Sequence, residues 1–401
     1  MTYIFCIFAA VLIWFSVKSF LGGIAYLRYF RAELSAVRPD WQPFATIIAP
    51  CKGLDDGLEQ NLTALIELDY PEYEVIFVVD DPEDPAVKVI QAVSQTGEGY
   101  RKKTALTVAP KATDSSQKVE NLREGVIHAD PRSEVFVFVD SDARPSPAWL
   151  RALVAPLRDE TIGATTGYRW FISEDPSLAS EIRSSWNASI ASALGPNARS
   201  NFCWGGSMAI RRDTFERLNI RDRWHGSLSD DFTVTRAMNA GDLPIRFVPE
   251  ALAASVENCT IGQLFEFTNR QMKITRVYMP KLWLMSFFGS ALFNSVLITA
   301  FLIVIFSRAN TALVWAAIFT LITVSGFSVG KAWTRLRAVR LVLSQHARAL
   351  DRQWLTQNTL WLITPAVFLV NCFSALSRRM RWRGTEYEMA SPEVTKIIEP
   401  G

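Results

Sequence analysis

Histidine is scarce in this chain of 401 residues, which contains only three. Catalysis or metal binding by histidine therefore has few side chains to draw on, and carboxylates are the expected bases. The five cysteines lie far apart and include no CxxC pair, which argues against a disulfide framework and against a structural zinc site. We therefore expect the catalytic part of the chain to lie in a reducing compartment.

An excess of charge of either sign is also missing, since the formal net charge is +2. The whole chain therefore does not suggest a nucleic-acid partner. The glycine-rich dinucleotide fingerprint and the P-loop are absent, so neither an NAD site nor a Walker-type ATP site is predicted. Apolar residues, in contrast, are abundant at 49%, with 25 Phe and 13 Trp. Because this excess is concentrated at the two ends of the chain, we expect membrane segments there.

Residues 1–31 are predicted to be an N-terminal transmembrane anchor. Residues 1–27 carry a single charge, Lys18, and are long enough to span a bilayer. Arg28 and Arg31 follow the apolar run, which favours a retained anchor over a cleaved signal peptide. The domain that follows should then face the cytoplasm.

The last third of the chain is also predicted to associate with the membrane. Residues 282–330 contain two uncharged apolar runs, typical of two transmembrane helices. Residues 331–358 are a basic segment that we expect to be interfacial. Residues 359–377 form another apolar run, expected to be a hairpin kinked at Pro365. A full span there would export the arginines of the tail, residues 378–401, so a re-entrant hairpin with a cytoplasmic tail is favoured over a transmembrane one.

Between these regions, residues 40–281 alternate apolar strands with helices, which predicts an α/β domain with a mostly parallel sheet. The clearest strand is residues 135–139, where β-branched and aromatic residues alternate without a polar interruption. It ends at Asp140-Ser141-Asp142. Another strand, residues 73–79, also ends at acids, and a third, residues 44–49, ends just before a Lys-Gly pair. Ligands bind beyond the carboxyl ends of such strands, so these polar residues should meet at one cleft.

Two carboxylates one residue apart, such as Asp140 and Asp142, repel each other unless a cation lies between them. A divalent ion that carries a diphosphate is the natural candidate, since Mg²⁺ or Mn²⁺ binds one or two carboxylates together with phosphate oxygens. The structural alternative is an acidic turn at the end of a strand. For the later pair, Asp230 and Asp231, the alternative is a helix N-terminus capped by Ser229.

Several motifs occur in an order that is more specific than any one of them. They are PxKGxD at Pro50-Cys51-Lys52-Gly53-Leu54-Asp55, LDYPxYEV at residues 68–75, DDPEDPA at residues 80–86, DSD at residues 140–142, DD at Asp230-Asp231, and WRxxxY at Trp382, Arg383 and Tyr387. With these motifs the chain resembles the membrane-bound glycosyltransferases of families 2 and 21, in particular the ceramide glucosyltransferases.

This resemblance implies a GT-A fold, an α/β arrangement similar to the Rossmann fold, for residues 40–281, with an interfacial helix at its end. It implies inverting transfer of a hexose, glucose by resemblance, from a UDP-sugar to the hydroxyl of a membrane lipid. The expected site residues fall into four groups. They are the donor residues Lys52, Gly53, Asp81, Lys118 and Asp140, the Mg²⁺ or Mn²⁺ ligands Asp142 and Asp140, the base Asp231 with Asp230 beside it, and the acceptor residues Gly206, Trp382 and Arg383.

One family motif, (Q/R)xxRW, departs from the pattern, because the corresponding residues are Arg270-Gln271-Met272-Lys273-Ile274. Positive charge is kept, while isoleucine replaces tryptophan. We expect Arg270 and Gln271 to bind the donor, Lys273 to assist catalysis at the leaving diphosphate, and Arg276 to be within reach of it.

The acceptor is inferred from what surrounds the last of these motifs. Phe265, Phe267 and Ile274 are apolar, and a membrane run follows them, so a lipid hydroxyl is favoured over a soluble one. Ceramide is the acceptor implied by resemblance, and diacylglycerol and a hopanoid alcohol stay open. The alternative for the nearby cations is contact with lipid headgroups. A bacterial inner membrane and a Golgi membrane would both present the domain to the cytoplasm.

Two rival functions remain. A processive polysaccharide synthase would share the catalytic core but needs a transmembrane polymer channel, for which the apolar runs are few. A catalytically inactive membrane scaffold has no reason to keep every acidic motif.

Overall fold

The computed structural model describes residues 2–96, 102–307 and 310–399. The chain divides into two compact units. The α/β unit contains Glu33–Glu174, Ala193–Asn258 and Ser377–Gly401, and the helical unit contains Met1–Ala32, Asp175–Ser192 and Cys259–Leu376. Each unit is thus assembled from stretches that are far apart in the sequence.

The elements are as follows, in chain order. The helices are α1 (Thr2–Ser35), α2 (Leu58–Ile66), α3 (Ala86–Thr96), α4 (Gln117–Ile127), α5 (Trp149–Val154), α6 (Leu178–Ala191), α7 (Arg212–Arg217), α8 (Ile220–Trp224), α9 (Asp230–Ala240), α10 (Ile261–Tyr278), α11 (Pro280–Phe306), α12 (Thr311–Val342), α13 (Ala347–Thr359) and α14 (Thr364–Ser374). The strands are β1 (Ala45–Pro50), β2 (Tyr73–Val79), β3 (Lys102–Val108), β4 (Val135–Phe138), β5 (Ala164–Ile172), β6 (Met208–Arg211), β7 (Ile245–Val256), β8 (Arg379–Trp382), β9 (Thr385–Ser391) and β10 (Val394–Glu399).

The α/β unit is built on a sheet with the strand order β3-β2-β1-β4-β6-β5-β7. β6 is antiparallel to β4 and β5, and the other neighbouring pairs are parallel. β1, β2 and β4 are buried along their whole length, as expected for apolar runs whose two faces are both covered. The predicted α/β fold with a mostly parallel sheet is therefore confirmed.

The strand β5 contains a shift in register and extends further than β4 does. The pairing of β5 with β7 shifts between Thr166 and Tyr168. A Cβ atom on Gly167 would lie 1.9 Å from the backbone oxygen of Ala251, so a side chain has no room there. Thr166 and the last residue of β4 both pair with Met208. Beyond the shift, β5 therefore continues past the level at which β4 ends.

The tail forms a second sheet within the α/β unit, with the strand order β10-β9-β8 and antiparallel pairing. Arg383 and Gly384 connect β8 to β9, and their φ angles are 49° and 87°. Two consecutive positive φ angles are the requirement of a tight two-residue hairpin turn. The tail is thus folded, and its turn presents an arginine side chain.

The helical unit contains three helices that are long and apolar enough to cross a membrane, among the described residues. They are α1 with 34 residues, α11 with 27 and α12 with 32. α1 and α12 approach closely at glycines. A Cβ on Gly23 would lie 2.6 Å from Thr334 Oγ1, and one on Gly330 would lie 2.7 Å from the Phe20 ring.

The structure differs from the predicted segments in several places. α12 continues to Val342, so the beginning of the predicted interfacial segment 331–358 is part of a long helix. Pro365 does not kink a helix, because it lies in the first turn of α14, where proline needs no hydrogen-bonding partner. α14 has 11 residues, too few to cross a bilayer alone. α6 and α10, both within the predicted domain 40–281, belong to the helical unit.

Candidate active site

The candidate site lies at the sheet edge where β1, β2 and β4 end. These strands are parallel neighbours, so the residues that follow them leave the sheet at the same edge. The turn at Gly205 and Gly206, called the glycine turn below, precedes the antiparallel strand β6 and lies at this edge as well. The first turn of α9 joins the group through the contacts described next, which connect the DSD segment with Asp230 and Asp231.

Both carboxylate oxygens of Asp140 are paired with cations. Oδ1 lies 2.7 Å from Lys118 Nζ, and Oδ2 lies 2.9 Å from Nη2 of Arg169. Burial alone would raise the pKa of Asp140, but the two cations outweigh it and hold that pKa below its ordinary value. Asp140 is therefore an ionised carboxylate with no oxygen left unpaired.

Arg169 also binds the second acid of the DSD segment. Its Nη1 lies 3.0 Å from Asp142 Oδ2, so one guanidinium bridges both carboxylates. The guanidinium carbon lies 4.7 Å from the ring centre of Trp204, and Arg169 is only 9% exposed. The other oxygen of Asp142, Oδ1, is buried and has no hydrogen-bond partner among the described residues.

Lys118 joins the DSD segment to α9, because its Nζ also lies 3.0 Å from Asp230 Oδ1. Burial raises the pKa of Asp230 to about 6; Lys118 opposes this shift, while Asp231 and Asp140 add to it. A Cβ on Gly205 would lie 2.1 Å from Asp230 Oδ2 and 2.8 Å from Lys118 Nζ. The glycine turn therefore lets the backbone approach this buried ion pair.

Asp231 lies in the first turn of α9 and accepts hydrogen bonds from three donors. Its Oδ1 accepts the Ser229 hydroxyl at 2.5 Å and the Phe232 N–H at 2.7 Å. Its Oδ2 accepts the N–H of Gly205 at 3.3 Å. Ser229 also caps the helix, as the structural interpretation predicted. Unlike the buried Asp230, Asp231 is partly exposed, so it is the acid of this pair that a substrate can approach.

A second group of charges surrounds the end of β2. The buried carboxylate of Asp80 lies 3.0 Å from Lys111 Nζ and 3.4 Å from Lys52 Nζ. Asp81, half exposed, lies 4.0 Å from Lys111 Nζ. The predicted donor residues Lys52 and Asp81 are thus connected through a neighbouring acid and a lysine. Gly53 belongs to the same loop, where its φ is 68° and its N–H donates to the nearby Asp84 carboxylate.

Arg383, at the turn of the C-terminal hairpin, connects the two groups. Its Nη2 lies 2.5 Å from Asp55 Oδ1, and its Nη1 donates to the Lys52 carbonyl at 3.3 Å. The other oxygen of Asp55 accepts the Ser141 hydroxyl at 2.7 Å. Arg383 therefore contacts the loop after β1, beside the DSD segment.

The other predicted acceptor residues are Gly206 and Trp382. A Cβ on Gly206 would lie 2.1 Å from the ring of Trp204, so this glycine allows the indole to pack under Arg169. Trp382 is partly buried at the end of β8 and pairs with Thr385 across the turn. The acceptor roles of both residues stay predictions.

Three predicted residues lie on α10 of the helical unit: Arg270, Gln271 and Lys273. The guanidinium of Arg270 lies 5.6 Å from the Phe267 ring centre. Partial burial lowers the pKa of Lys273. Arg276 instead donates to two backbone carbonyls just past α14, at 2.9 and 3.0 Å, so its guanidinium serves helix packing. The roles of the first three at the donor stay predictions.

Sequence reasoning missed Arg169, which is central to the observed contacts. A signal was present, since Arg169 is the only charged residue in the strand ATTGYRWFI, and an arginine within a buried strand needs an acidic partner. Asp80 and Lys111 were missed as a pair as well. Lys111 lies in a loop whose sequence carries no comparable signal.

The chemistry of this site fits one divalent cation. Its carboxylates carry five negative charges against three positive ones, an excess of two. The acids are Asp55, Asp140, Asp142, Asp230 and Asp231, and the cations are Lys118, Arg169 and Arg383. The unpartnered Oδ1 of Asp142 is the type of oxygen ligand that Mg²⁺ and Mn²⁺ prefer. Asp140 has no such oxygen, so the geometry favours Asp142 over Asp140 as the ligand.

A family model described as glycosyl transferase family 21 matches residues 11–394. Two curated relatives are both named ceramide glucosyltransferase. The protein of Candida albicans (strain SC5314) is 31% identical over 128 residues, covering 28% of this chain and 22% of the relative. The protein of Komagataella phaffii (strain GS115) is 28% identical over 85 residues, covering 20% and 17%. The matched region thus spans about a fifth of the length of these relatives.

Solved structures similar to this chain include the mannosyltransferase PcManGT from Pyrobaculum calidifontis, in complex with GDP-Man and Mn²⁺. The identity is 18% and the TM-score is 0.43, with 91% of this chain and 99% of that chain covered. Another is glucosyl-3-phosphoglycerate synthase from Mycobacterium tuberculosis, in complex with Mn²⁺ and UDP-glucose. Its identity is 15% and its TM-score is 0.36, and the match covers 60% of this chain and 84% of that chain.

Proposed function

Since the chain belongs to glycosyl transferase family 21, we propose that it is an inverting hexosyltransferase that moves glucose from UDP-glucose to the hydroxyl of ceramide. The connected group of five carboxylates and three cations at one sheet edge carries the proposal. It provides a base, a metal ligand and cations within one site. The names of the curated relatives support the same donor sugar and acceptor.

In this proposal, one charge group binds the uridine of the donor and the other binds its diphosphate. Lys52, Gly53 and Asp81 at the ends of β1 and β2 seat the uridine. Lys118 and Asp140 would lie beside the diphosphate, and Asp142 would hold a Mg²⁺ or Mn²⁺ ion. When bound, this ion stabilises the charge that develops on the leaving diphosphate. For Arg270, Gln271 and Lys273 we propose the roles that the sequence resemblance implies, donor binding by the first two and stabilisation of the leaving diphosphate by the third.

The acceptor hydroxyl loses its proton to Asp231 as the new bond forms. Three hydrogen bonds fix the orientation of this carboxylate, and it is partly exposed. A single base and direct displacement invert the configuration at the anomeric carbon. Gly206, Trp382 and Arg383 border the acceptor. Asp230, buried and paired with Lys118, sets the electrostatic surroundings of its neighbour.

The same proposal places the α/β unit on the cytoplasmic side of the membrane. Three spans leave residues 36–279 and the residues after α12 on one side. The pairing of Arg383 with Asp55 supports this arrangement, because it joins the tail to the loop after β1. A further crossing between α12 and the tail would separate the two residues. The basic residues that follow α12 in sequence agree with a cytoplasmic location.

The test is incubation of the purified full chain with a panel of UDP-sugars and with ceramide or diacylglycerol, followed by identification of the glycolipid. We expect glucosylceramide with an anomeric configuration inverted relative to the donor. A product on diacylglycerol or a hopanoid would change the acceptor and keep the reaction. A growing polymer would identify a processive synthase. If Asp142→Asn and Asp231→Asn left glycolipid synthesis in membranes unchanged, the protein would be a scaffold.

A further inference from the structure

The guanidinium of Arg169 occupies the position between the two DSD carboxylates. It donates to Asp140 at 2.9 Å and to Asp142 at 3.0 Å. Lys118 binds the remaining oxygen of Asp140 at 2.7 Å. Of the four carboxylate oxygens in this segment, only Oδ1 of Asp142 has no partner among the described residues. The repulsion between the two acids is therefore already balanced by cations of the protein.

A free divalent ion meets two obstacles here. The DSD segment offers it one unpartnered carboxylate oxygen, whereas small hard cations bind poorly with a single protein ligand. It also approaches a guanidinium fixed beside that same carboxylate, and like charges repel strongly in a buried site. Arg169 cannot turn away easily, because it is 9% exposed and stacks on Trp204 at 4.7 Å and on Phe171 at 5.4 Å.

A nucleotide diphosphate changes both conditions. It contributes oxygen ligands to the ion and cancels the ion's charge. Its oxygens are also alternative acceptors for the arginine, since the planar guanidinium fork matches phosphate as well as carboxylate. When a phosphate oxygen approaches the fixed guanidinium and accepts one of its N–H groups, a carboxylate oxygen of the DSD segment becomes free to bind the ion.

We propose that Arg169 is a positioning residue that keeps the DSD carboxylates closed to free metal, so that the divalent ion enters together with the nucleotide diphosphate. This inference rests on the proposed function for the identity of the nucleotide. Removing Arg169 leaves the site with a larger excess of negative charge. The metal should then bind more tightly in the absence of nucleotide, which is the opposite of the effect expected for a residue that supports a metal site.

The experiment measures Mn²⁺ binding to the full chain in detergent by the electron paramagnetic resonance signal of free Mn²⁺, with and without saturating UDP. For the wild type, we expect UDP to tighten Mn²⁺ binding at least tenfold. For Arg169→Met, we expect Mn²⁺ alone to bind at least tenfold more tightly than to the wild type, with little further gain from UDP. Arg169→Lys, the matched control, keeps the charge and should bind Mn²⁺ alone as weakly as the wild type.

The inference is overturned if Arg169→Met binds Mn²⁺ alone no more tightly than the wild type does. Should that variant fail to fold, as judged by its thermal unfolding, the wild type decides, because equal Mn²⁺ affinity with and without UDP also overturns it. If no Mn²⁺ binds but glycolipid is still formed, the inference and the proposed metal site are both wrong, and the proposed reaction stands. Binding that responds to Arg169 as expected, without any glycolipid product, supports the inference and rejects the reaction.

Discussion

Arg383 and Asp55 form an ion pair at 2.5 Å although 328 positions separate them in the sequence. Arg383 lies at a tight turn of the C-terminal sheet, and Asp55 lies in the loop after β1. The same guanidinium donates to the carbonyl of Lys52, and Asp55 accepts a hydrogen bond from Ser141 of the DSD segment. The tail therefore holds the loop that carries Lys52, beside the DSD segment.

The first prediction tests this tie. We expect Arg383→Gln to raise KM for the donor by about five- to tenfold, because a partly exposed ion pair contributes about 1 kcal/mol. Steady-state kinetics with UDP-glucose measure the change. Arg381→Gln is the matched control, since Arg381 is exposed on the same hairpin and donates to the Gly384 carbonyl within it. Equal effects of the two substitutions would show that the hairpin acts only through its own stability.

The second prediction concerns Lys118, whose ammonium group lies between Asp140 and Asp230. Lys118→Met leaves the buried carboxylate of Asp230 facing the partly buried one of Asp140. Loss of one partner from a buried ion pair costs about 3–5 kcal/mol. We expect a clear fall in the thermal unfolding midpoint and loss of glycolipid synthesis. Lys111→Met is the control, because the Lys111 side chain is 63% exposed and its partner Asp80 keeps a second cation, Lys52, at 3.4 Å. A similar fall for both would contradict the central position of Lys118.

The third prediction separates the two acids of α9. We expect Asp231→Asn to lower kcat by about 10² to 10⁴, the usual contribution of a general base, while UDP binding measured by calorimetry stays unchanged. Ser229→Ala, which removes one of the donors that orient Asp231, should lower kcat only slightly. If Asp231→Asn kept its kcat and Asp230→Asn lost it, the assignment of the base would move to Asp230.

The fourth prediction follows from the pKa of Asp230, which burial raises to about 6. A carboxyl whose folded pKa lies above its unfolded value contributes stability that is fully present below about pH 4. That stability is lost as the pH rises through 6. Relative to Asp230→Asn, the wild type should therefore become less stable between pH 4 and pH 7, by up to about 3 kcal/mol.

Thermal unfolding midpoints of both proteins, measured in one detergent across this pH range, provide the test. Acids that lie far from Asp230 titrate in the same way in both proteins and cancel in the difference. If the unfolding midpoints of the two proteins differed by the same amount at every pH from 4 to 7, the pKa of Asp230 would not be raised.

Several elements could be predicted from the sequence because their residue pattern fits only one type of secondary structure. The strand predicted at residues 73–79 has the observed bounds of β2, since six of its seven residues are aromatic or aliphatic and suit a strand buried on both faces. The meeting of the β1, β2 and β4 ends followed from parallel topology. The N-cap role of Ser229 followed from the acids after it. Local pattern and strand direction were sufficient in each case.

Other features depend on contacts between distant residues, which no local pattern encodes. α6 was assigned to the α/β domain from its position in the sequence, yet it packs in the helical unit, where Trp186 donates to Asn371 at 3.1 Å. The sequence predicts a cation between Asp140 and Asp142 but not that the guanidinium of Arg169 bridges them. That guanidinium reaches the DSD segment only because β5 continues past the register shift at Gly167.

The last prediction concerns Gly206, expected from the sequence to border the acceptor. A Cβ there would lie 2.1 Å from the Trp204 ring. This ring is 7% exposed, and it packs against Tyr168 at 5.5 Å and under Arg169. Because its neighbours leave little room, Gly206→Ala must displace the indole and with it the guanidinium that bridges the DSD carboxylates. We expect at least a tenfold loss of kcat/KM for the donor.

Gly195→Ala is the matched control, since nothing lies within 4 Å of a Cβ at that position. Alanine at such a site is expected to leave activity unchanged. Kinetics with the donor and the lipid varied separately distinguish the two roles of Gly206. An effect transmitted through Trp204 and Arg169 changes KM for UDP-glucose and the affinity for Mn²⁺, because both depend on the DSD segment. A rise confined to KM for the lipid would instead mean that Gly206 contacts the acceptor directly, and that the packing of Trp204 tolerates the added methyl group.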